Sequence, residues 1–322
     1  MTVTSFDTPV TGLGWLNDIA LFALGDGRVV SPDGTTIIAH RDAAILSCAL
    51  SPDANALLTG GDDGKLNRIT PDGAVVELAD FAGKWVNHLA ASPESKVIVA
   101  GVGKQAAVIV KETDGIAHRF TTPSTIGGIA LDAKGRRLVL AHYGGAQMHF
   151  VLTATDQGQS FKWAGSHLAT TISPGADYIV TAMQEPGLHG WRISDKKDLR
   201  MAGYSAKTRS FSWDRRGRFL ATSGAPCGVL WPFASKDGPM GKAPTLVAER
   251  ETPVTMIRFH PKEDILAIGY ADGFVALADI EKPPARVWRK PTGAPVTALE
   301  WSADGRGLAA GDEAGSVIAT LV

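Results

Sequence analysis

Ile45-Leu46-Ser47-Cys48-Ala49-Leu50, Ser51-Pro52-Asp53, Ala56-Leu57-Leu58-Thr59-Gly60, Asp62-Asp63-Gly64 and Lys65-Leu66-Asn67-Arg68-Ile69 follow one another in the chain. Three apolar runs of strand length are separated by two turn sequences, so the stretch predicts antiparallel strands rather than a helix. Gly64 supplies the positive φ that a tight turn between strands requires. Pro71-Asp72-Gly73 then turns the chain into a fourth run, Ala74-Val75-Val76-Glu77-Leu78.

The same anchor recurs about every 40 residues along the chain. It reads Ala91-Ser92-Pro93-Glu94, Ile172-Ser173-Pro174-Gly175, Phe259-His260-Pro261-Lys262 and Trp301-Ser302-Ala303-Asp304. Weaker copies are Leu131-Asp132-Ala133-Lys134, Trp213-Asp214-Arg215-Arg216 and the shortened Trp15-Leu16-Asn17-Asp18. Units of four short strands start near Val10, Ile45, Val86, Ile126, His167, Thr208, Val254 and Val296. This pattern predicts an all-β chain, residues 1–322 forming a single β-propeller domain of four-stranded antiparallel blades. Eight blades are expected, with seven the alternative if the first unit is decoration. The last unit lacks a fourth strand, and Thr2-Val3-Thr4-Ser5-Phe6 is expected to supply it, closing the ring and covering a sheet edge.

Composition narrows the function classes. The net charge of −1 gives no global case for nucleic acid or an anionic membrane surface. Apolar stretches are interrupted by Gly, Asp or Pro well before roughly 18 residues, so no membrane span is expected. The N-terminus shows no basic region followed by an apolar run. The two cysteines, Cys48 and Cys227, fall in distant repeats and are not expected to pair. A cytoplasmic, monomeric protein is the expectation.

The units resemble degenerate WD repeats, and the resemblance runs over the whole chain. The seventh unit carries it best, with Val254, Phe259-His260-Pro261, Ile265 to Gly269, Asp272-Gly273 and Ala278-Asp279 where Trp-Asp is usual. Ala39-His40 and Ser166-His167 echo the family's Gly-His pair. The resemblance implies that the family's buried Asp–His–Ser/Thr–Trp network is missing from most blades.

Catalytic spacings such as His-Glu-x-x-His, Cys-x-x-Cys or Gly-x-Ser-x-Gly are absent, and no enzyme activity and no cofactor are expected. Gly101-Val102-Gly103-Lys104 lies between two strands and is expected to be a hairpin turn rather than a phosphate loop. Trp15, Trp213, Phe259 and Trp301 share one slot of the repeat, which predicts packing between blades. Residues that break the repeat point to binding. A partner protein is expected on the channel-mouth face, with Trp85 and Arg209 as anchors and Asn87, Tyr143, His167 and Tyr270 as supporting contacts. The alternative is a small-ligand or metal-handling propeller, with His142, His167, His189 and Cys227 as zinc ligands. The insertion Lys236–Pro244 is a further candidate loop, and Lys282-Pro283-Pro284 is an ordinary linker. Arg136, Arg137, Arg215, Arg216 and Arg218 on the opposite face form either a nucleic-acid patch or a solvated surface, with the solvated surface expected.

Overall fold

The protein is described by a computed structural model covering residues 3–282 and 284–321. Thr2 of the expected closing strand and Pro283 of the linker lie outside the described residues. Apart from a 3₁₀ turn at Glu112–Asp114, the regular structure described is β-strand. The strands fall into seven antiparallel sheets, six of four strands and one of six.

Residues Val10–Ile172 make one compact unit. Its first three sheets are Val10–Leu16, Ile19–Leu24, Arg28–Val30 and Thr36–Ile38; Ile45–Leu50, Leu57–Gly61, Lys65–Ile69 and Val75–Asp80; and Val86–Ser92, Val97–Val102, Gln105–Ile109 and His118–Thr121. The strands Ile126–Leu131, Arg137–Phe150 and Gln159–Ile172 follow. The other unit comprises residues 1–9 and 173–322. Its strand runs begin at Tyr178, Phe211, Val254 and Val296. In the last of these sheets Thr4 pairs with Val317 and Ser5 with Ser316, so the N-terminal strand supplies the fourth strand as expected.

Eight separate blades were expected; the structure gives seven sheets, the alternative count. The difference arises at the units that start near Ile126 and His167. Arg137–Phe150 and Gln159–Ile172 each run for 14 residues where the repeat has two shorter strands. At the first corner Gly144 and Gly145 both adopt positive φ, and the register shifts there, with Tyr143 opposite Ser166 and Gly145 opposite Lys162. Two repeat units are thereby carried by one six-stranded sheet.

The turn after each first strand has a common chemical basis. Ser51 Oγ accepts the Ala56 N–H at 3.0 Å, and Ser302 Oγ accepts the Gly307 N–H at 2.7 Å. Where the repeat has aspartate, Asp132 Oδ1 accepts from Arg136 and Asp214 Oδ1 from Phe219. His260 Nδ1 accepts from Lys262 and Glu263 in the same slot. Three residue types therefore do one task, satisfying backbone donors that a tight turn would otherwise strand.

The apolar core lies between neighbouring sheets. Leu58 and Leu66 of the second sheet pack with Val86, Ile98, Ala100 and Val102 of the third. Each such side chain contributes roughly 1.5–3 kcal/mol on burial. Trp15, Phe259 and Trp301 are buried, and Trp213 meets Phe233 edge-on with centroids 4.8 Å apart, as the shared repeat slot predicted. Both cysteines are free thiols.

Candidate functional site

Among the described residues, the buried polar network of a WD repeat is recognisable around His40. His40 Nδ1 lies 3.0 Å from Asp63 and its Nε2 2.9 Å from Thr59 Oγ1, while Ile69 stands where the tryptophan would be. Other blades rebuild the same corner from other residues. Trp231 Nε1 donates to Tyr204 Oη at 2.7 Å, which lies 2.6 Å from Thr222 Oγ1. Burial pushes the Tyr204 phenol up to about 12, so it remains protonated. Arg250 pairs with Asp272 at 2.9 Å, and Thr292 donates to Asp312 at 2.8 Å. These corners hold strand ends in place.

In the unit Val10–Ile172, one end of the sheets gathers the loops that break the repeat. Ala44 N–H donates to Asp62 Oδ1, and Phe81 N–H donates to the Gly64 carbonyl. Gly64 has φ +83°, and a Cβ there would sit 2.6 Å from the Gly83 nitrogen, so the loop 81–84 lies directly on this turn. Ile126 N–H donates to Gly103 O, Thr122 donates to Lys104 O, and Tyr143 N–H donates to Ser124 Oγ. Gly103-Lys104 is a hairpin turn between the paired strands Val97–Val102 and Gln105–Ile109, as expected. The same end thus carries Trp85, 59% exposed, on the loop fastened to Gly64, and Tyr143, 67% exposed, on the strand Arg137–Phe150 with its N–H on Ser124.

A cleft of about 330 Å³ opens beside Trp85, lined by Asp80, Phe81, Ala82, Lys84, Val102, Gln105 and Arg119. Sequence reasoning singled out the neighbouring Trp85 but missed Arg119. That residue sits on the outermost strand of the third sheet, in a slot with no motif of its own. Its signal was only the register that sets Arg119 opposite Ala107.

The other expected site residues fall as follows. Asn87 is half-buried at the start of its strand, and Arg209 is exposed with its N–H on Ser223 Oγ at 3.0 Å. His167 and Tyr270 require a correction: both were expected to meet a partner, and both side chains are buried. His167 Nε2 lies 3.1 Å from the Trp163 carbonyl oxygen. Tyr270 donates to the Ala248 carbonyl and packs beneath the Arg250 guanidinium. A phenol or imidazole that closes an internal hydrogen bond is held inside by that bond.

The zinc alternative draws no support from the geometry. Among the described residues, no group of three or more His, Cys, Asp or Glu is placed to hold a metal ion. His142, His189 and Cys227 are buried side chains; His142 Nδ1 lies 2.8 Å from the Tyr143 oxygen, and His189 packs edge-on against Trp191. Burial pushes the Cys227 thiol up, away from the thiolate that zinc would need.

Ser210 and Ser212 accept backbone N–H groups of Ile257 and Phe259, and Ser210 also meets the Arg258 guanidinium at 2.9 Å. The insertion after Phe233 is fastened to its neighbour, with Tyr178 Oη and Arg192 both donating to the Lys236 carbonyl at 2.7 Å. Of the arginines in the two turns, Arg136, Arg215 and Arg216 are exposed and Arg137 half-buried, whereas Arg218 is paired with Asp214 and Asp264.

The WD domain, G-beta repeat family matches residues 30–67, the stretch that holds His40, Thr59 and Asp63. No curated protein matches the sequence. Among solved structures, the crystal structure of the computationally designed Ika8 protein is similar over 99% of this chain and 98% of its own, with a TM-score of 0.80 at 15% identity. A likeness at that identity is one of fold. The repeat match and the antiparallel blades together support a WD-repeat propeller family. Propellers of this class are typically protein-interaction scaffolds and generally non-catalytic. No helix among the described residues is long and apolar enough to cross a membrane.

Proposed function

We propose that residues 1–322 form one WD-repeat-like propeller domain that works in the cytoplasm as a monomeric, non-enzymatic scaffold without a cofactor, binding a partner protein. The observation that carries this reading is the exposure of Trp85 and Tyr143 at one end of their sheets, the first on a loop and the second in a strand, both with backbones held by hydrogen bonds. A large aromatic left in water is costly unless something covers it. A stiff loop presents it with little further loss of conformational entropy on binding. Trp85 and Arg209 serve as anchors, with Asn87 and Tyr143 beside the first.

The test is a cross-linked pull-down from native cytoplasm, comparing wild type with Trp85→Ala/Arg209→Ala and identifying bound chains by mass spectrometry. A protein captured by wild type and lost from the double variant, with the melting temperature unchanged within a few degrees, is the expected outcome. Equal capture by both would remove the assignment, and so would the absence of any captured protein.

A further inference from the structure

We propose that the cleft beside Trp85 receives a carboxylate side chain from an extended acidic peptide, with a neighbouring apolar residue of that peptide covering Phe81 and Trp85. This names the chemistry of the partner and rests on the scaffold reading above. The apolar lining of the cleft is Val102, Phe81 and the exposed Ala82, of which the first two belong to the core between the second and third sheets. Its rim carries two cations, Lys84 and Arg119, both exposed. Neither makes an ion pair among the described residues.

The one acid in the cleft, Asp80, is already engaged. Its Oδ1 accepts the Ala82 N–H at 2.7 Å and so holds the turn in which Ala82 and Gly83 both adopt positive φ. The carboxylate shapes the loop, and two cations against this single acid leave the cleft with one excess positive charge. Arg119 offers planar donors suited to a carboxylate, and Lys84 adds a mobile charge. A volume of about 330 Å³ matches a side chain rather than a folded surface. A nucleic-acid strand fits less well, because it needs a cationic groove following many phosphates, and this chain has a net charge of −1.

The experiment uses a phage-displayed random peptide library selected on the immobilised full chain, followed by fluorescence titration of the enriched peptides. Enriched sequences should place Asp or Glu beside Leu, Ile, Val or Phe. Their affinity should fall at least about tenfold with Lys84→Glu/Arg119→Glu, and should weaken with added salt. Lys84→Gln/Arg119→Gln is the milder second variant, and circular dichroism melts check that both fold. Amide versions of the peptides, with Gln and Asn for Glu and Asp, should bind as weakly as the charge-reversed protein binds the parents. No enrichment, enrichment without acids, or equal binding to the double variants overturns the proposal. Tighter binding of a labelled single-stranded oligonucleotide that depends on the same two cations also overturns it. If the pull-down partner is lost with Trp85→Ala/Arg209→Ala yet kept with Lys84→Glu/Arg119→Glu, the scaffold reading stands and the cleft assignment alone falls.

Discussion

His40 shows what a single residue does in this fold. Its imidazole is buried, with one nitrogen on Asp63 and the other on Thr59, so it ties a loop, a turn and a strand together. Thr59 is itself fully buried. Thr59→Val keeps the shape but leaves the His40 Nε2 without its partner, and should cost about 1–3 kcal/mol. Urea denaturation at neutral pH measures this, and an unchanged midpoint would show that the ring finds another hydrogen-bond partner. Sequence motifs revealed the His40 corner but not the Tyr204–Thr222–Trp231 corner. The second uses different residue types to occupy the same space, and only the hydrogen-bond geometry discloses the equivalence.

At the scale of elements, the short N-terminal strand is the most exposed dependency. Thr4 and Ser5 pair with the strand Ser316–Leu321, and the Phe6 N–H donates to the Gly315 carbonyl at 2.9 Å. Gly315, at φ +87°, is held close against this segment, since a Cβ there would overlap the Phe6 carbonyl. Removing residues through Phe6 should destabilise the chain by about 2 kcal/mol, from lost hydrogen bonds of roughly 1 kcal/mol each. It should also leave an open strand edge that pairs with other copies. Thermal melting and size-exclusion chromatography with light scattering check the two effects; a monomer with an unshifted melting temperature would show that the strand is dispensable. The strands of the first two units, such as Ile19–Leu24 and Lys65–Ile69, fall where apolar runs and Gly turns placed them. The two 14-residue strands do not, because nothing local marks a corner at which a strand runs on through a register shift.

For the whole molecule, stability should decline in two stages as pH falls. Burial lowers the pKa of His88 and of His149, with Asp156 partly opposing the effect at His149. Below the ordinary histidine value of 6.5, the unfolded chain takes up protons that the folded chain refuses, so stability falls as pH drops toward the depressed folded values. The second stage comes from carboxylates. Hydrogen bonds from Arg192 lower Asp195 to about 2, and those from Ser302 and Arg306 lower Asp304 well below its ordinary value. Their contribution is present above the ordinary value of 3.8 and is lost as pH falls through the folded values. His88→Gln/His149→Gln should flatten the melting temperature between about pH 7.5 and about pH 5 while leaving the acid limb in place. An unaltered slope would assign that stage to other groups.

What the sequence determined alone was the repeating unit: strand lengths, turn residues and packing slots are set by neighbours within a few positions of one another. The all-β character, the antiparallel blades and the donated N-terminal strand follow from that local chemistry. Tertiary structure alone decided which side chains reach solvent. His167 and Tyr270 were legible as repeat-breaking polar residues, but whether such a group faces water or an internal carbonyl depends on atoms far away in the chain. The same holds for the cleft, whose two cations come from the loop after the second sheet and from the outer strand of the third, and line one cleft because the packing of Leu58 and Leu66 against Val86 and Ile98 brings those sheets together.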